Sequence, residues 1–237
     1  MKVLVIGATG GSGLAATRSL LARGAQVTAF ARNPDSLPPL HGPLTKLTGD
    51  ATRFEDIDRA MPGHDAVVVA LGIRENPIRV RLLGSAHTAM DVRSRGTRHV
   101  IEAMHRHGVR RLVVQTSFGV GATQGRLPLV FRLMFALMLR PQIRDTGRQE
   151  DAVRDSGLDW VLVQPVNLTD DAVVTPAFAS AEGDYQSMKV SRQQVGEFLA
   201  DAALSDKHVG ESVALSAFAP ECQPAADHSA RCRPQAR

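Results

Sequence analysis

The first thirteen residues decide the fold of this chain. After Met1 and Lys2 they read Val3-Leu4-Val5-Ile6-Gly7-Ala8-Thr9-Gly10-Gly11-Ser12-Gly13. The apolar, mostly β-branched run predicts a buried strand, and glycines spaced three apart predict a tight turn. Apolar residues then recur at helical spacing through 14–23, which predicts a helix directly after the turn. A strand, a glycine turn and a helix in this order bring an anion such as a diphosphate to the helix N-terminus.

Each glycine of the turn has a physical role in this arrangement. Gly7 allows the sharp turn off the strand, Gly10 lets the backbone approach the phosphates, and Gly13 lets the helix pack closely on the strand. Backbone N–H groups and the helix dipole supply the anion site. The hydroxyls of Thr9 and Ser12 are candidate additional donors.

The end of the second predicted strand, 25–31, indicates which dinucleotide fits. Dehydrogenases that use NAD place an acidic residue there for the ribose 2′-hydroxyl, whereas an arginine suits a 2′-phosphate. This chain has Arg32 at that place and no acidic residue before Asp35. A guanidinium pairs with phosphate through two charge-assisted hydrogen bonds. The sequence therefore favours NADP(H), with a solvated loop arginine as the alternative.

Composition fits an ordinary globular protein and argues against nucleic-acid binding. Of 237 residues, 43% are hydrophobic and 22% are charged, which suits one α/β domain with a large core. The formal net charge is +4, but the basic residues are spread along the chain and only 4% of residues are aromatic. No nucleic-acid partner is therefore expected.

Cysteine usage and hydropathy indicate the class and compartment of the protein. Both cysteines, Cys222 and Cys232, lie near the end of the chain, so neither a disulfide scaffold nor a metal site is expected. No signal peptide precedes the first strand, and the most apolar stretch, 127–139, is too short to span a bilayer. We expect a cytoplasmic protein that does not associate with membranes.

Strands alternate with helices along the chain. The patterns predict strands at 3–6, 25–31, 44–48, 65–71, 111–115, 158–163 and 211–217, and weak strands near 173–178 and 186–190. They predict helices at 14–23, 53–61, 90–107, 127–139, from 141 to about 156, and at 191–204, the last with a capping box. This alternation predicts a doubly wound, mostly parallel α/β sheet in a single domain of residues 1–217. Small substrate-side elements are expected at about 118–145 and 166–190, a loop over the cofactor at 73–83, and a disordered tail at 218–237.

In this order the motifs resemble the atypical short-chain dehydrogenase/reductase superfamily. The likeness is to its compact NAD(P)H-binding branch, which includes NmrA-like proteins and biliverdin-IXβ and flavin reductases. The residues that carry it are Gly7–Gly13, Arg32-Asn33-Pro34, Gly49-Asp50, Ala70-Leu71-Gly72, Thr116-Ser117, Glu150–Trp160 and Gln164-Pro165. The resemblance extends over roughly residues 1–217 and implies an NAD(P)-binding Rossmann fold.

The resemblance also implies roles for individual residues. Asp50 would accept a hydrogen bond from the adenine amine, with an N-cap of the next helix as the alternative. Ser117 would lie near the nicotinamide ribose and orient it, with a turn cap as the alternative. The stretch 70–72 would pass beside the ribose and diphosphate, and 165–167 would shape the nicotinamide pocket. The candidate cofactor-binding residues are Gly7, Thr9, Gly10, Gly11, Ser12, Gly13, Arg32, Asp50, Ala51, Ala70, Leu71, Gly72, Thr116, Ser117, Pro165, Val166 and Asn167.

One departure from the superfamily bears on catalysis. Ordinary members use a Tyr-x-x-x-Lys pair after the serine, but residues 143–155 contain neither Tyr nor Lys. A matching pattern, Tyr185-Gln186-Ser187-Met188-Lys189, comes only after the sixth main strand. It is either a coincidence in a loop or weak strand, or it places Tyr185 in the substrate pocket. Ser117 and Tyr185 are therefore the candidate catalytic residues.

These features lead to two hypotheses of function. The first is an NADPH-dependent oxidoreductase that passes a hydride to a flavin, quinone or tetrapyrrole-like acceptor, with orientation supplying much of the rate. The second is an NmrA-like redox sensor that binds NADP(H) without turnover. The apolar helix at 127–139 is core, a dimer interface or a lid over an apolar acceptor, so the protein is expected as a monomer or homodimer.

Overall fold

The computed structural model describes residues 1–72, 90–123, 125–126, 140–173 and 175–219. Three features expected from the sequence lie outside these residues: the loop at 73–83, the apolar helix at 127–139, and the tail from 220 onward with both cysteines. The expectations of a lid and of a dimer interface therefore stay predictions.

The described residues form an eight-stranded sheet with helices on both faces and a separate two-stranded sheet, ten strands in all. The strands are β1 (Lys2–Ile6), β2 (Gln26–Ala31), β3 (Leu44–Thr48), β4 (Ala66–Val69), β5 (Arg111–Gln115), β6 (Asp159–Pro165), β7 (Asn167–Thr169), β8 (Phe178–Ser180), β9 (Lys189–Ser191) and β10 (Glu211–Ser216). The helices are α1 (Gly11–Ala22), α2 (Phe54–Ala60), α3 (Val92–His107), α4 (Arg140–Arg154) and α5 (Arg192–Leu204).

The strand order confirms the doubly wound topology. It runs β3-β2-β1-β4-β5-β6-β10-β8, and every pair in it is parallel except the edge pair of β8 with β10. The order reverses between β1 and β4, and ligands bind at such switch points, beside the carboxyl ends of the strands.

The sheet is buried on both faces, which explains its continuous apolar strands. Successive side chains of a strand point to opposite faces. Val3 and Val5 accordingly join the core under α1 and α5, whereas Leu4 and Ile6 join the core under α2, α3 and α4. Two separate cores thus fix the register of β1.

Helices α1 and α5 pack closely along the first face because α5 carries a glycine at their contact. A Cβ on Gly196 would lie 2.5 Å from the Cβ of Ala15 and 2.6 Å from the nitrogen of Ala16. The predicted capping box is present: Gln194 N–H donates to the Ser191 hydroxyl, and Ser191 N–H donates to the Gln194 side chain, both at 3.1 Å. The N-termini of α1 and α5 therefore lie side by side at the carboxyl edge of the sheet.

The small elements differ from their predictions. The strand expected at 173–178 is wrong, since the strand there is β8, which begins at Phe178 and pairs with β10 through Ala214 and Ser180. Strand β7 was not anticipated, and it pairs only with β9, so its strand character depends on a partner about twenty residues away. The chain also packs beyond the predicted boundary at 217, because Phe218 contacts Phe178 edge-to-face at 5.8 Å between ring centroids.

Candidate functional site

A cavity of about 550 Å³ opens at the carboxyl edge of the sheet. Its wall contains eleven of the residues proposed from the sequence as cofactor-binding, namely Gly7, Thr9, Gly10, Gly11, Ser12, Arg32, Asp50, Ala51, Ala70, Leu71 and Gly72. These residues come from the ends of β1, β2, β3 and β4 and from the start of α1. The tertiary structure thus brings the glycine turn, the arginine after β2 and the stretch after β4 into one site.

The glycine turn adopts the geometry that the sequence predicts. Gly7 has φ +85°, and a Cβ there would lie 2.6 Å from the carbonyl oxygen of Ala70. Gly13 does not line the cavity. A Cβ on Gly13 would overlap the Gly7 carbonyl, so the role of this glycine is close packing of the helix on the strand, as expected. Within α1, Gly10 provides no side-chain cap and the first turn holds no acidic residue. The first N–H groups of α1 are therefore left to bind an anion.

Asp50 is not the N-cap that was its alternative role, because α2 begins directly after Arg53, and its side chain makes a local turn instead. One carboxylate oxygen accepts hydrogen bonds from the backbone N–H of Thr52 at 2.9 Å and from its hydroxyl at 2.8 Å. The backbone N–H of Asp50 donates to Asp56 at 3.0 Å, and this bond is the main reason why the pKa of Asp56 lies below its usual value. Asp50 still lines the cavity, and a bond to adenine stays a prediction.

A second cation in the wall, Arg93, escaped the sequence analysis. It is the second residue of α3, and a Cβ on Gly72 would lie 3.4 Å from one of its guanidinium nitrogens. Burial lowers the pKa of Arg93, and the charge of Asp145 partly offsets that effect. Asp145 also accepts the backbone N–H of Arg93 at 3.1 Å and of Ser94 at 3.2 Å. The cap of α3 therefore comes from α4, which no local pattern could indicate.

A third cation, Arg192, reaches the site from α5. It lines the cavity, and a Cβ on Gly11 would lie 2.8 Å from its Nε. One guanidinium nitrogen pairs with Asp170 at 2.7 Å. In the sequence, residues 191–194 indicate only the start of a helix. The signal that could have found Arg192 is that helix N-termini in a doubly wound fold meet at the ligand-binding edge.

Thr116 corrects one expectation, because its side chain is turned away from the cavity. It is 1% exposed, and its hydroxyl donates to Glu150 at 2.7 Å. The same carboxylate accepts Gln164 at 2.8 Å and Arg154 at 2.8 Å. The Thr116 hydroxyl therefore joins β5 to α4 and β6 instead of contacting a cofactor.

The residues expected at the nicotinamide end lie at the carboxyl ends of β5 and β6. Among the residues that the structure describes, Ser117 and the stretch 165–167 are outside the wall of the cavity. Ser117 is half-buried, Pro165 and Val166 are buried, and Asn167 is exposed. Their roles around nicotinamide stay predictions.

Tyr185 lies close to this end through an aromatic contact. Its ring packs edge-to-face on Phe118, with 5.2 Å between ring centroids, and Phe118 N–H donates to the Pro165 carbonyl at 3.0 Å. Lys189 is exposed in β9. The two residues of the Tyr-x-x-x-Lys pattern are therefore not on one helix, where residues four apart would share a face.

Over the described ranges, no group of three or more His, Cys, Asp or Glu side chains is arranged to hold a metal ion. None of the helices in those ranges is long and apolar enough to cross a membrane.

Comparison with known proteins adds family information to this geometry. A family model described as NAD(P)H-binding matches residues 7–206. The chain is 36% identical over 208 residues to sterol demethylase protein B of Methylococcus capsulatus, which covers 81% of this chain and 56% of that protein. It is 33% identical over 126 residues to a 3-beta-hydroxysteroid dehydrogenase of Mycolicibacterium neoaurum, which covers 50% of this chain and 32% of the dehydrogenase.

A solved structure shares the fold. A short-chain dehydrogenase/reductase of Veillonella parvula in complex with NADP superimposes with a TM-score of 0.74 and 18% identity, covering 92% of this chain and 94% of that one. The chain thus spans nearly all of this structure, but only about a third to a half of the two relatives matched by sequence.

Proposed function

We propose that this chain, which belongs to the NAD(P)H-binding family whose model matches residues 7–206, is an NADPH-dependent oxidoreductase acting on a conjugated or aromatic small molecule. The single observation that carries this proposal is the cavity where the glycine turn, Arg32 and the stretch 70–72 meet. Its shape and charge suit a dinucleotide lying across the switch point of the sheet.

The cofactor preference rests on the charges at the β2 end of the cavity. Arg32 follows β2 directly and lines the wall, and the acidic residue that would select the ribose 2′-hydroxyl is not at that position. A 2′-phosphate there gains a charge-assisted bond that NADH cannot form. NADPH is therefore the proposed reductant.

In the proposed reaction the protein positions NADPH and the acceptor, and no side chain needs to donate a proton. Bound NADPH supplies a hydride, and the acceptor takes a proton from water as its two-electron reduction completes. The first turn of α1 binds the diphosphate, Arg32 binds the 2′-phosphate, and the carboxyl ends of β5 and β6 set the position of the reacting ring. Ser117 is proposed to orient the ribose.

The proposed acceptor class rests on two features. Helix α4 has no Tyr/Lys pair, and an aromatic contact between Phe118 and Tyr185 lies beside Ser117. Helix α4 carries neither Tyr nor Lys, so the acid that simple carbonyl reduction requires is missing from its usual place. The ring of Tyr185, which packs edge-to-face on the buried Phe118, is the aromatic side chain that we propose contacts the acceptor near that end. A planar conjugated acceptor suits both features. Two relatives have names that refer to sterols or steroids, which supports including flat polycyclic compounds.

A redox sensor that binds NADPH without turnover is the second candidate. The missing Tyr/Lys pair also favours a sensor, because a sensor needs the cavity for the dinucleotide but needs no proton donor.

The test is NADPH absorbance decay with purified protein, with NADH in parallel. The acceptor panel contains FMN, a quinone, biliverdin, a conjugated steroid ketone and a simple aliphatic ketone. Turnover with any conjugated acceptor, and none with the aliphatic ketone, is the expected result. Failure with every acceptor, together with tight NADPH binding by fluorescence titration, would replace the oxidoreductase with the sensor.

A further inference from the structure

Arg192 adds a positive charge next to the glycine turn, although it is not part of that motif. Its side chain crosses from α5 to the first residue of α1, and Gly11 has no room for a Cβ because Arg192 lies there. The side chain is 31% exposed and lines the cavity beside Ser12 and Gly10. A guanidinium is thus held next to the backbone N–H groups that would bind a diphosphate.

This position is imposed by the packing of α5. Gly196 fits against Ala15 and Ala16, and Arg192 is one helical turn before Gly196, on the same side of the helix. The capping box of Ser191 and Gln194 fixes the first turn of α5. The location of Arg192 over Gly11 is therefore built into the α1–α5 contact.

Asp170 is a weak competitor for the same guanidinium. Its carboxylate pairs with Arg192 at 2.7 Å, but it is 86% exposed. Exposed ion pairs contribute little because water and salt screen them. A diphosphate at the N-terminus of α1 would carry two negative charges and would also gain from the helix dipole. The diphosphate should therefore displace Asp170 from the guanidinium of Arg192.

We propose that Arg192 binds the diphosphate of the dinucleotide, and that Asp170 pairs with its guanidinium only until the diphosphate displaces it. This inference rests on the dinucleotide binding in the proposed function, and it adds a ligand from outside the glycine motif. The inference also gives Arg32 and Arg192 different roles in cofactor binding. Arg32 distinguishes the two cofactors, whereas Arg192 strengthens NADPH and NADH alike.

The experiment compares ligands with and without a diphosphate by calorimetry. Arg192→Ala should weaken NADPH and NADH by similar factors of about tenfold or more, the size expected for a lost charged hydrogen bond. Adenosine 2′-monophosphate has no diphosphate, and its binding should stay within about twofold of the wild type. Arg192→Lys keeps the charge without the planar fork and should fall between the wild type and the alanine variant.

Asp170→Asn tests the competition for the guanidinium. It removes the competing charge, so it should tighten NADPH binding by a few fold. No change or a weaker affinity would overturn the part assigned to Asp170.

Arg23→Ala is the matched control for α5 itself. Arg23 follows α1 and bonds the Glu197 carbonyl of α5 at 3.0 Å, away from the cavity. Its loss should leave all affinities unchanged. Unchanged NADPH affinity in Arg192→Ala, or an equal loss for adenosine 2′-monophosphate, would overturn the inference. A wild-type protein that fails to bind NADPH would instead overturn the cofactor of the proposed function.

Discussion

The hydroxyl of Thr116 donates a 2.7 Å hydrogen bond to Glu150, whose side chain is fully buried between β5, β6 and α4. Glu150 also accepts from Gln164 and Arg154, so one carboxylate satisfies three donors from three elements. This bond places the backbone of β5 at the point where it leads into Ser117. The position of Ser117 at the end of β5 thus depends on a residue that does not line the cavity.

Loss of this carboxylate should be costly. Glu150→Ala leaves the buried Thr116 hydroxyl without its acceptor and takes one acceptor each from Gln164 and Arg154, which keep the Val120 carbonyl and the Ser212 hydroxyl, so we expect a loss of about 1–3 kcal/mol in the free energy of unfolding. Urea denaturation measures it. Asp151→Ala is the matched control. Asp151 is exposed, and its carboxylate lies 3.9 Å from Arg154, which is a long and weak ion pair. A cost for Glu150→Ala as small as that of Asp151→Ala would contradict the structural role.

Reversal of charge at Arg32 should discriminate between cofactors. Arg32→Glu should weaken NADPH far more than NADH, because only NADPH brings a phosphate against the new carboxylate. Fluorescence titration of both dinucleotides gives the ratio. Arg18→Glu makes the same charge change on an exposed position of α1 outside the cavity, and it should leave the ratio unchanged. Equal losses for NADPH and NADH in Arg32→Glu would remove the 2′-phosphate assignment.

A methyl group at Gly196 should separate α5 from α1. The new Cβ would lie 2.6 Å from Ala16 N, and we expect Gly196→Ala to lower the free energy of unfolding by about 1–3 kcal/mol through overpacking. Gly147→Ala in α4 is the control. A Cβ there meets only Val120 at 4.0 Å, so better helix propensity should raise stability by up to about 1 kcal/mol. Stabilisation by both substitutions would show that the α1–α5 contact is loose.

The tyrosine beside Phe118 should act as a wall and not as an acid. Tyr185→Phe keeps the ring, so kcat with the best acceptor should stay within about twofold, whereas Tyr185→Ala should raise KM by removing the aromatic contact. Steady-state kinetics separates the two parameters. A large fall in kcat for Tyr185→Phe would instead assign proton transfer to the hydroxyl.

Acid sensitivity should have a contribution from Asp56. The Asp50 N–H and the nearby guanidinium of Arg59 lower the pKa of Asp56, so its ionised form stabilises the fold. A lowered pKa contributes stability above the unfolded value, about pH 4, and this contribution is lost as pH falls through the folded value. The stability difference between wild type and Asp56→Asn should thus be largest near neutral pH and shrink below about pH 4. Unfolding midpoints measured across pH give this profile; a constant difference would exclude the ionised carboxylate as its source.

Local patterns predicted the main architecture well. The apolar run 3–6 and the glycines after it specify a strand, a turn and a helix through short-range sterics, and Gly7 adopts the expected left-handed backbone. Strands buried on both faces have continuous apolar centres, so β4 and β5 were also recognisable. The capping box at Ser191 is a signal four residues long, and it marked the start of α5 correctly.

The site was only partly predictable for a physical reason. Motif residues such as Gly10 and Arg32 lie at strand ends, and parallel topology alone brings those ends together. Arg93 and Arg192 carry no motif of their own. Their places depend on α3 meeting α4 at Asp145 and on α5 meeting α1 at Gly196.

The sequence by itself therefore determined the doubly wound fold, the glycine turn and the edge of the sheet where the cavity opens, because these follow from backbone sterics and apolar periodicity. Only the tertiary structure decided that Thr116 is directed to Glu150 and that Arg192 lies over Gly11. Both arrangements are contacts between side chains distant along the chain, and their distances are set by how helices pack, which no local pattern encodes.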